Sequence, residues 1–362
     1  MSKKDNELFH LPIEFISNKQ TVSQNLINDL ELLDTIDKKN KPIYNLLLKP
    51  KTQLGSENIQ KWSKYFTTNK PFLKHSQDLY KKCENINFDE VTINKMHKLW
   101  SEFKTQNNFI EKFQFVEWEK INFLNKSVFF LTFLSFYNIS SPVIQLVAPI
   151  MILILPFFVL KMLKMPVTWN TYSKILIENL KRHSIGQLFF SFSEASLGQK
   201  IYILFAVFMY FYNIYQNIVS CIRFYNNTYF ITNYFETINY YLDYTIQKIT
   251  LLYTHTKNYN SYSKFNNELM NYKERLIKLH NSIRHLPTND QKITKIVYIG
   301  KLMKHFYYFY DSQELEDLIE YSFGFHGYID NILGINKNIK NKRINPATFT
   351  SKLTFNLKKM YH

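Results

Sequence analysis

Histidines, glycines and basic residues are the residues of this sequence that could form a chemical site, and their spacing decides which chemistry is possible. No G-x-x-x-x-G-K-[ST] phosphate-binding loop occurs, because Gly300-Lys301 continues into Leu302 and has no upstream glycine. There is also no G-x-S-x-G, H-E-x-x-H, EF-hand or paired-cysteine motif, and the ten histidines are dispersed. The sequence therefore indicates no catalytic residue, no cofactor-binding residue and no metal ligand.

His326 is the histidine with a glycine on either side of it, in Gly324-Phe325-His326-Gly327. Catalytic groups sometimes occupy such turns. The ordinary interpretation is a turn that ends a helix, with Gly327 at the first position after the cap, where glycine is favoured. We therefore expect His326 to have a structural role.

A cluster of basic residues near the C-terminus could bind an anion. From Asn336 onward the sequence predicts a basic loop that could contact nucleic acid or anionic lipid; it carries Lys337, Lys340, Lys342 and Arg343. The whole chain has a net charge of +16, which favours polyanionic partners. An A+T-rich coding genome would give the same abundance of lysine without any selection for a basic surface, so both interpretations stay open.

The elements that would position these residues are predicted to be long helices. Seven glycines and ten prolines are too few for the frequent tight turns of a β-sandwich or barrel. We predict a mainly α, elongated helical bundle with long antiparallel helices, two transmembrane helices and a short C-terminal strand over Thr348–Leu357. Cys83 and Cys221 suggest no disulfide framework, so the soluble regions are expected in a reducing compartment.

Two apolar runs are long enough to cross a bilayer. Residues 127–160 carry no formal charge, and a span is predicted near 143–162. A separate shorter helix over Ser127–Ile139, followed by a break at Asn138–Pro142, would make three spans. The second uncharged run covers 201–222 and contains polar residues that would need partners in hydrocarbon. The alternative is that both runs are buried core helices of a soluble protein.

A heptad pattern predicts a narrow apolar seam on a helix from about Ser261 to Arg284. The seam residues are Phe265, Leu269, Tyr272, Leu276, Leu279 and Ile283. Similar spacing between Ile231 and Leu252 predicts a preceding helix, so the two would form an antiparallel arm. Such an arm is typical of a spacer or of a contact in a homo-oligomer.

These patterns divide the sequence into four segments. Residues 1–126 are predicted to form a soluble helical module, and residues 127–223 a membrane-associated region with spans near 143–162 and 201–222. Residues 224–335 contain the long-helix arm. Residues 336–362 form the basic loop and a strand that leads to a further C-terminal domain.

Two stretches of the sequence resemble MutS-like proteins. The segment from Thr52 and Gly55 through Trp62 to Tyr65–Asn69 is similar to the T-x-x-G-x-x-x-L-x-x-W opening of the family's helical core. The tail Thr354–His362 resembles the strand that enters its ATPase domain, where a Tyr-His pair precedes the Walker A strand. The apolar runs match best the divergent MutS-like proteins of large DNA viruses, in which such segments interrupt the core.

The resemblance implies the lever or clamp portion of a membrane-associated ATPase of the DNA mismatch repair family, acting in a virus-infected host cell. ATP and Mg²⁺ would belong to an ATPase domain beyond His362 and to no residue of this chain. The implied partners are a membrane, DNA and a second copy that binds through the helix arm. The alternative function is a membrane-anchored structural or interaction protein with no nucleic-acid role.

Overall fold

The computed structural model describes residues 8–83, 86–164, 168–288 and 292–350. These residues are mainly helical and include a two-stranded antiparallel sheet, so the predicted mainly α class is confirmed. They form two compact units: unit 1 holds the described residues of 1–106, 234–285 and 309–362, and unit 2 those of 107–233 and 286–308. Each unit is discontinuous in sequence, unlike the four consecutive segments expected from composition.

Short helices dominate the first third of the chain. They are α1 (Gln24–Asp29), α2 (Ile43–Leu48), α3 (Gln53–Trp62), α4 (Lys70–Lys82), α5 (Glu90–Lys104) and α6 (Phe109–Lys112). The sheet pairs β1 (Lys19–Thr21) with β2 (Tyr65–Thr67), in the register Lys19 to Thr67. Thr52, Asn69 and Asp89 cap α3, α4 and α5 by accepting a backbone N–H with their side chains.

Most of the remaining α-helices are longer. They are α7 (Val128–Met162), α8 (Trp169–Arg182), α9 (Ser184–Phe190), α10 (Leu197–Thr256), α11 (Ser263–Ile283), α12 (Lys292–Asp311) and α13 (Gln313–Lys340). The predicted strand lies mostly outside the described residues, which end at 350, and Thr348–Thr350 have no regular secondary structure.

Helix α13 is the centre of unit 1 and is buried on nearly all sides from Leu318 to Asn336. The expected helix-ending turn at Gly327 is wrong, because α13 continues through this glycine to Lys340. A Cβ on Gly327 would lie 2.6 Å from the backbone oxygen of Leu54. The glycine is therefore needed for close approach of a neighbouring chain segment and does not end the helix.

Polar side chains on α13 bind the ends of the short helices around it. The Asp330 carboxylate accepts the backbone N–H groups of Lys51 and Thr52 at 2.9 and 2.8 Å, at the N-terminus of α3. The Asn338 amide donates to the carbonyls of Leu46 and Leu47, at the C-terminus of α2. Asn336 binds the carbonyls of Tyr80 and Lys81 in α4 in the same way. These contacts satisfy backbone groups that helix ends leave unpaired.

Helix α7 is one continuous helix of 35 residues, so the predicted break at Asn138–Pro142 and the separate third span are wrong. Pro142 has no N–H to donate to the carbonyl of Asn138. That carbonyl accepts the Ser141 hydroxyl at 3.4 Å instead, and the Ser140 hydroxyl binds Phe136 at 2.7 Å. Ser141 therefore compensates for the proline, and the helix is about 52 Å long at 1.5 Å per residue.

Candidate membrane surface and basic pocket

The apolar side chains of α7 and of the first part of α10 are exposed rather than packed in a core. Two helices, α7 over Val128–Val147 and α10, are long and apolar enough to cross a membrane. On α7 the exposed large apolar residues include Phe129, Phe133, Val143, Ile144, Leu146, Met151, Leu155 and Phe158; on α10 they include Ile201, Leu204, Phe205, Phe208 and Phe211. The predicted spans at 143–162 and 201–222 lie within these two helices.

Polar contacts join the two helices in antiparallel order. The Tyr210 hydroxyl donates to the backbone oxygen of Gln145 at 3.3 Å, and the Cys221 thiol lies 3.7 Å from the backbone oxygen of Ile139. The Gln114 side chain accepts from Asn138 at 2.8 Å and donates to Ser220 at 3.2 Å. These polar contacts fix which residues of α7 and α10 face each other.

The predicted seam of α11 is occupied within unit 1. Phe265, Leu269, Leu276 and Ile283 are buried, whereas Tyr272 and Leu279 are half-buried. The Phe265 ring packs edge-on against Phe9 and Tyr328, and the Tyr272 ring stacks on Tyr321. Because these rings pack on α13 and on the N-terminal segment, a second copy would have to bind the exposed residues of α11 and not its seam.

His326 is a core residue. Its Nε2 lies 2.8 Å from the Thr245 hydroxyl, which itself donates to the Tyr241 carbonyl, so Nε2 carries the proton and donates. The ring stacks on Tyr244. Burial lowers the pKa of His326 to about 3, so the imidazole is neutral. The fully buried ring cannot reach a substrate, which agrees with a structural role. The described residues contain no group of His, Cys, Asp or Glu side chains that could hold a metal.

The predicted basic loop is formed only in part, because two of its four basic residues lie in a helix. Lys337 and Lys340 lie on the last turns of α13, while Lys342, with φ 54°, and Arg343 follow its end. The helix continues past Asn336 and Asn338 because their amides bind neighbouring helix ends. Asparagine usually favours turns because its side chain competes for the backbone groups of its own segment. Here the two amides bind backbone groups of other helices instead.

A cavity of about 540 Å³ lies next to Lys337 in unit 1. It is lined by Lys49, Pro50, Lys51, Ile86, Asn87, Phe88, Asp330, Leu333, Gly334 and Lys337. Lys337 is the one member of the predicted basic set that lines it. Lys49 and Lys51 were missed by the sequence analysis, although the tripeptide Lys49-Pro50-Lys51 directly after an apolar helix is a visible basic signal.

Lys49 lies among other cationic residues in this basic pocket. Partial burial and the nearby charges of Arg343, Lys337 and Lys41 all lower the pKa of Lys49. None of these four cations has a carboxylate partner among the residues that the structure describes. Lys51, by contrast, is paired with Glu90.

Comparison with known proteins found no match to this chain. No protein-family model matches the chain, and no curated protein and no solved structure matches it. The exposed apolar helices and the basic pocket of this chain are therefore the features that indicate its function.

Proposed function

We propose that this chain is a membrane-anchored helical scaffold, held in the bilayer by α7 and by the first part of α10. The observation that supports the proposal is the exposed, charge-free apolar surface on both helices. Large aliphatic and aromatic side chains contribute roughly 1.5–3 kcal/mol each when removed from water. Soluble monomers rarely expose contiguous apolar surface on this scale, whereas a bilayer would cover it.

Only part of each helix needs to lie in the hydrocarbon core of the bilayer. A bilayer core of about 30 Å takes about 20 helical residues, fewer than the 35 residues of α7 and the 60 of α10. Because the helices are antiparallel, two crossings would place 163–196 on one side and the remaining chain on the other. That connecting segment carries Lys164, Lys174, Lys181 and Arg182, which suit an anionic lipid surface.

Arginine placed at the apolar surface should release the chain from the membrane. An arginine at mid-bilayer costs about 3 kcal/mol relative to an apolar residue, so the double variant Leu146→Arg, Phe208→Arg should weaken anchoring strongly. The measurement is carbonate extraction of the expressed full chain. We expect the unchanged protein in the pellet and a large part of the variant in the supernatant.

The matched control is Ile36→Arg, which adds the same side chain at a residue of unit 1 that is 92% exposed. It should stay in the pellet. Recovery of the unchanged protein in the soluble fraction after carbonate treatment would rule out the anchor.

A second candidate is the lever portion of a MutS-like ATPase. It is supported by the motif residues that resemble the family, because they meet on α13: Thr52 donates its hydroxyl to Asp330 at 2.8 Å, and Trp62 donates to Asn331 at 2.9 Å. Gly55 lies against Asp330 and accepts from Asn331 at 2.9 Å. The pattern therefore has a packing role here, as a shared helical core would require.

This second candidate predicts duplex DNA binding with a steep salt dependence, since each neutralised phosphate releases counterions. Fluorescence anisotropy with a labelled duplex measures it. Affinity should fall linearly with salt on logarithmic axes. If no binding occurs at about 50 mM salt, DNA contact is rejected and the scaffold alone is retained.

A further inference from the structure

The basic pocket has the dimensions and the walls of a small-ligand site. Its volume of about 540 Å³ lies within the roughly 300–1,000 Å³ typical of such sites. One part of the wall is apolar and is formed by Ile86, Phe88 and Leu333, while Lys49 and Lys337 supply cationic groups. A ligand that suits it would combine an anionic group with an organic body.

Asp330, which lines the pocket, and Glu90, which is paired with a lining residue, each bind groups other than Lys49 and Lys337. Asp330 Oδ2 accepts three hydrogen bonds, two from backbone N–H groups of Lys51 and Thr52 and one from the Thr52 hydroxyl. Glu90 is paired with Lys51. Among the described residues, neither carboxylate forms an ion pair with Lys49 or Lys337, and the nearby Arg343 and Lys41 add further positive charge.

The backbone holds Lys49 in place at the pocket. This residue ends α2 in the left-handed conformation, with φ 45° and ψ 52°, which is unfavourable for a residue with a Cβ. Asn338 binds the carbonyls of Leu46 and Leu47, and the backbone oxygen of Leu48 lies against Gly334. Lys49 and Lys337 also lie at helix C-termini, whose partial negative charge offsets some of their repulsion.

We propose that this pocket binds a phosphate monoester, with Lys49 and Lys337 contacting the phosphate and the apolar wall contacting the organic part. Two lysines suit a phosphate dianion because each donates charge-assisted hydrogen bonds to its oxygens. The same chemistry could come from a soluble metabolite or from a phospholipid headgroup such as phosphatidic acid. The proposal does not depend on membrane anchoring.

The test is binding of defined phosphate probes to the full chain in mild detergent, measured by calorimetry. The soluble probes are inorganic phosphate and glycerol phosphate. Flotation with phosphatidylcholine vesicles, with and without phosphatidic acid, is the lipid arm. Saturable binding of glycerol phosphate assigns a soluble ligand, and binding in the phosphatidic acid arm alone assigns a headgroup.

Lys49→Gln and Lys337→Gln should each weaken binding about tenfold or more, as expected for loss of a charged hydrogen bond. Lys278→Gln, on the exposed face of α11, removes the same charge elsewhere and should leave the affinity unchanged. Circular dichroism of each variant establishes that it is folded.

Three results would overturn the proposal. One is that no probe binds up to about 10 mM, in a range where even weak sites are visible. Another is an equal loss in all three variants, which would mean attraction by net charge. The last is a combination of two results: Lys49→Gln is more thermally stable than the unchanged chain, and the unchanged chain binds no phosphate. Lys49 would then have only its structural role at the end of α2.

Discussion

Asp330→Ala is expected to lower the free energy of unfolding of unit 1 by about 3 kcal/mol or more, since it leaves several buried donors without an acceptor. Asp330 is 1% exposed and accepts two backbone N–H groups and the Thr52 hydroxyl at the start of α3. Its negative charge also lies at a helix N-terminus, where anions are stabilised. The neighbouring Asn331 cannot replace it, because its amide already binds Gly55 and Trp62.

The measurement is urea unfolding of the full chain in mild detergent, followed by tryptophan fluorescence. Trp100 is buried in unit 1, whereas Trp118 and Trp169 are exposed, so the signal reports mainly on unit 1. Asp330→Asn keeps an acceptor oxygen and should lose less stability than the alanine variant. Equal losses in both variants would mean that the carboxylate charge determines the cost, and not one acceptor oxygen or the packing, because asparagine has nearly the volume of aspartate.

The unchanged protein and Asp330→Asn should also differ in how their free energy of unfolding depends on pH. Burial raises the pKa of Asp330, although the bonds from Thr52 and Lys51 act in the opposite direction. A carboxyl with a raised folded pKa contributes most stability below its unfolded pKa of about 3.9, and this contribution falls as the pH rises through the folded pKa. The unchanged protein should therefore lose stability relative to Asp330→Asn as the pH rises above about 4. A flat difference would contradict the raised pKa.

Composition and periodicity predict the helices of this chain better than they predict the contacts between those helices. The scarcity of glycine and proline predicts the mainly α fold, and the uncharged runs predict the two helices long enough to cross a membrane. These signals are local, since each lies within one segment. The prediction of a break at Pro142 failed because the Ser141 hydroxyl binds the Asn138 carbonyl that the proline leaves unpaired. Whether a serine does so depends on its side-chain rotamer, which a sequence pattern does not contain.

The site required contacts between residues far apart in the sequence. Lys49 follows α2 and Lys337 lies near the end of α13, so no periodicity within a single sequence joins them. The same limit explains why Asn336 and Asn338 were assigned to a loop: their partners are carbonyls of Tyr80, Lys81, Leu46 and Leu47. A lone sequence shows that a residue can cap a helix but not which helix end it will meet.

Gly334→Ala is expected to destabilise unit 1 by about 1–3 kcal/mol or more, as overpacking does in a closely packed core. A Cβ on Gly334 would lie 1.6 Å from the backbone oxygen of Leu48 and 2.5 Å from its carbonyl carbon. Backbone cannot rotate away as a side chain can, and Asn338 holds the preceding carbonyls of α2. Helix α2 would therefore have to move away from α13, which would also open the wall of the basic pocket.

Gly198→Ala is the matched control, because Gly198 lies in α10 with no atom within 4 Å of an added Cβ. Helix propensity favours alanine over glycine by up to about 1 kcal/mol, so this variant should be neutral or slightly more stable. Urea unfolding followed by far-ultraviolet circular dichroism, which reports on the helices of both units, compares the two variants. Similar effects of both would mean that helix propensity dominates. Opposite signs would show that α13 keeps glycine at this position, despite its cost in helical stability, because α2 packs directly on its backbone.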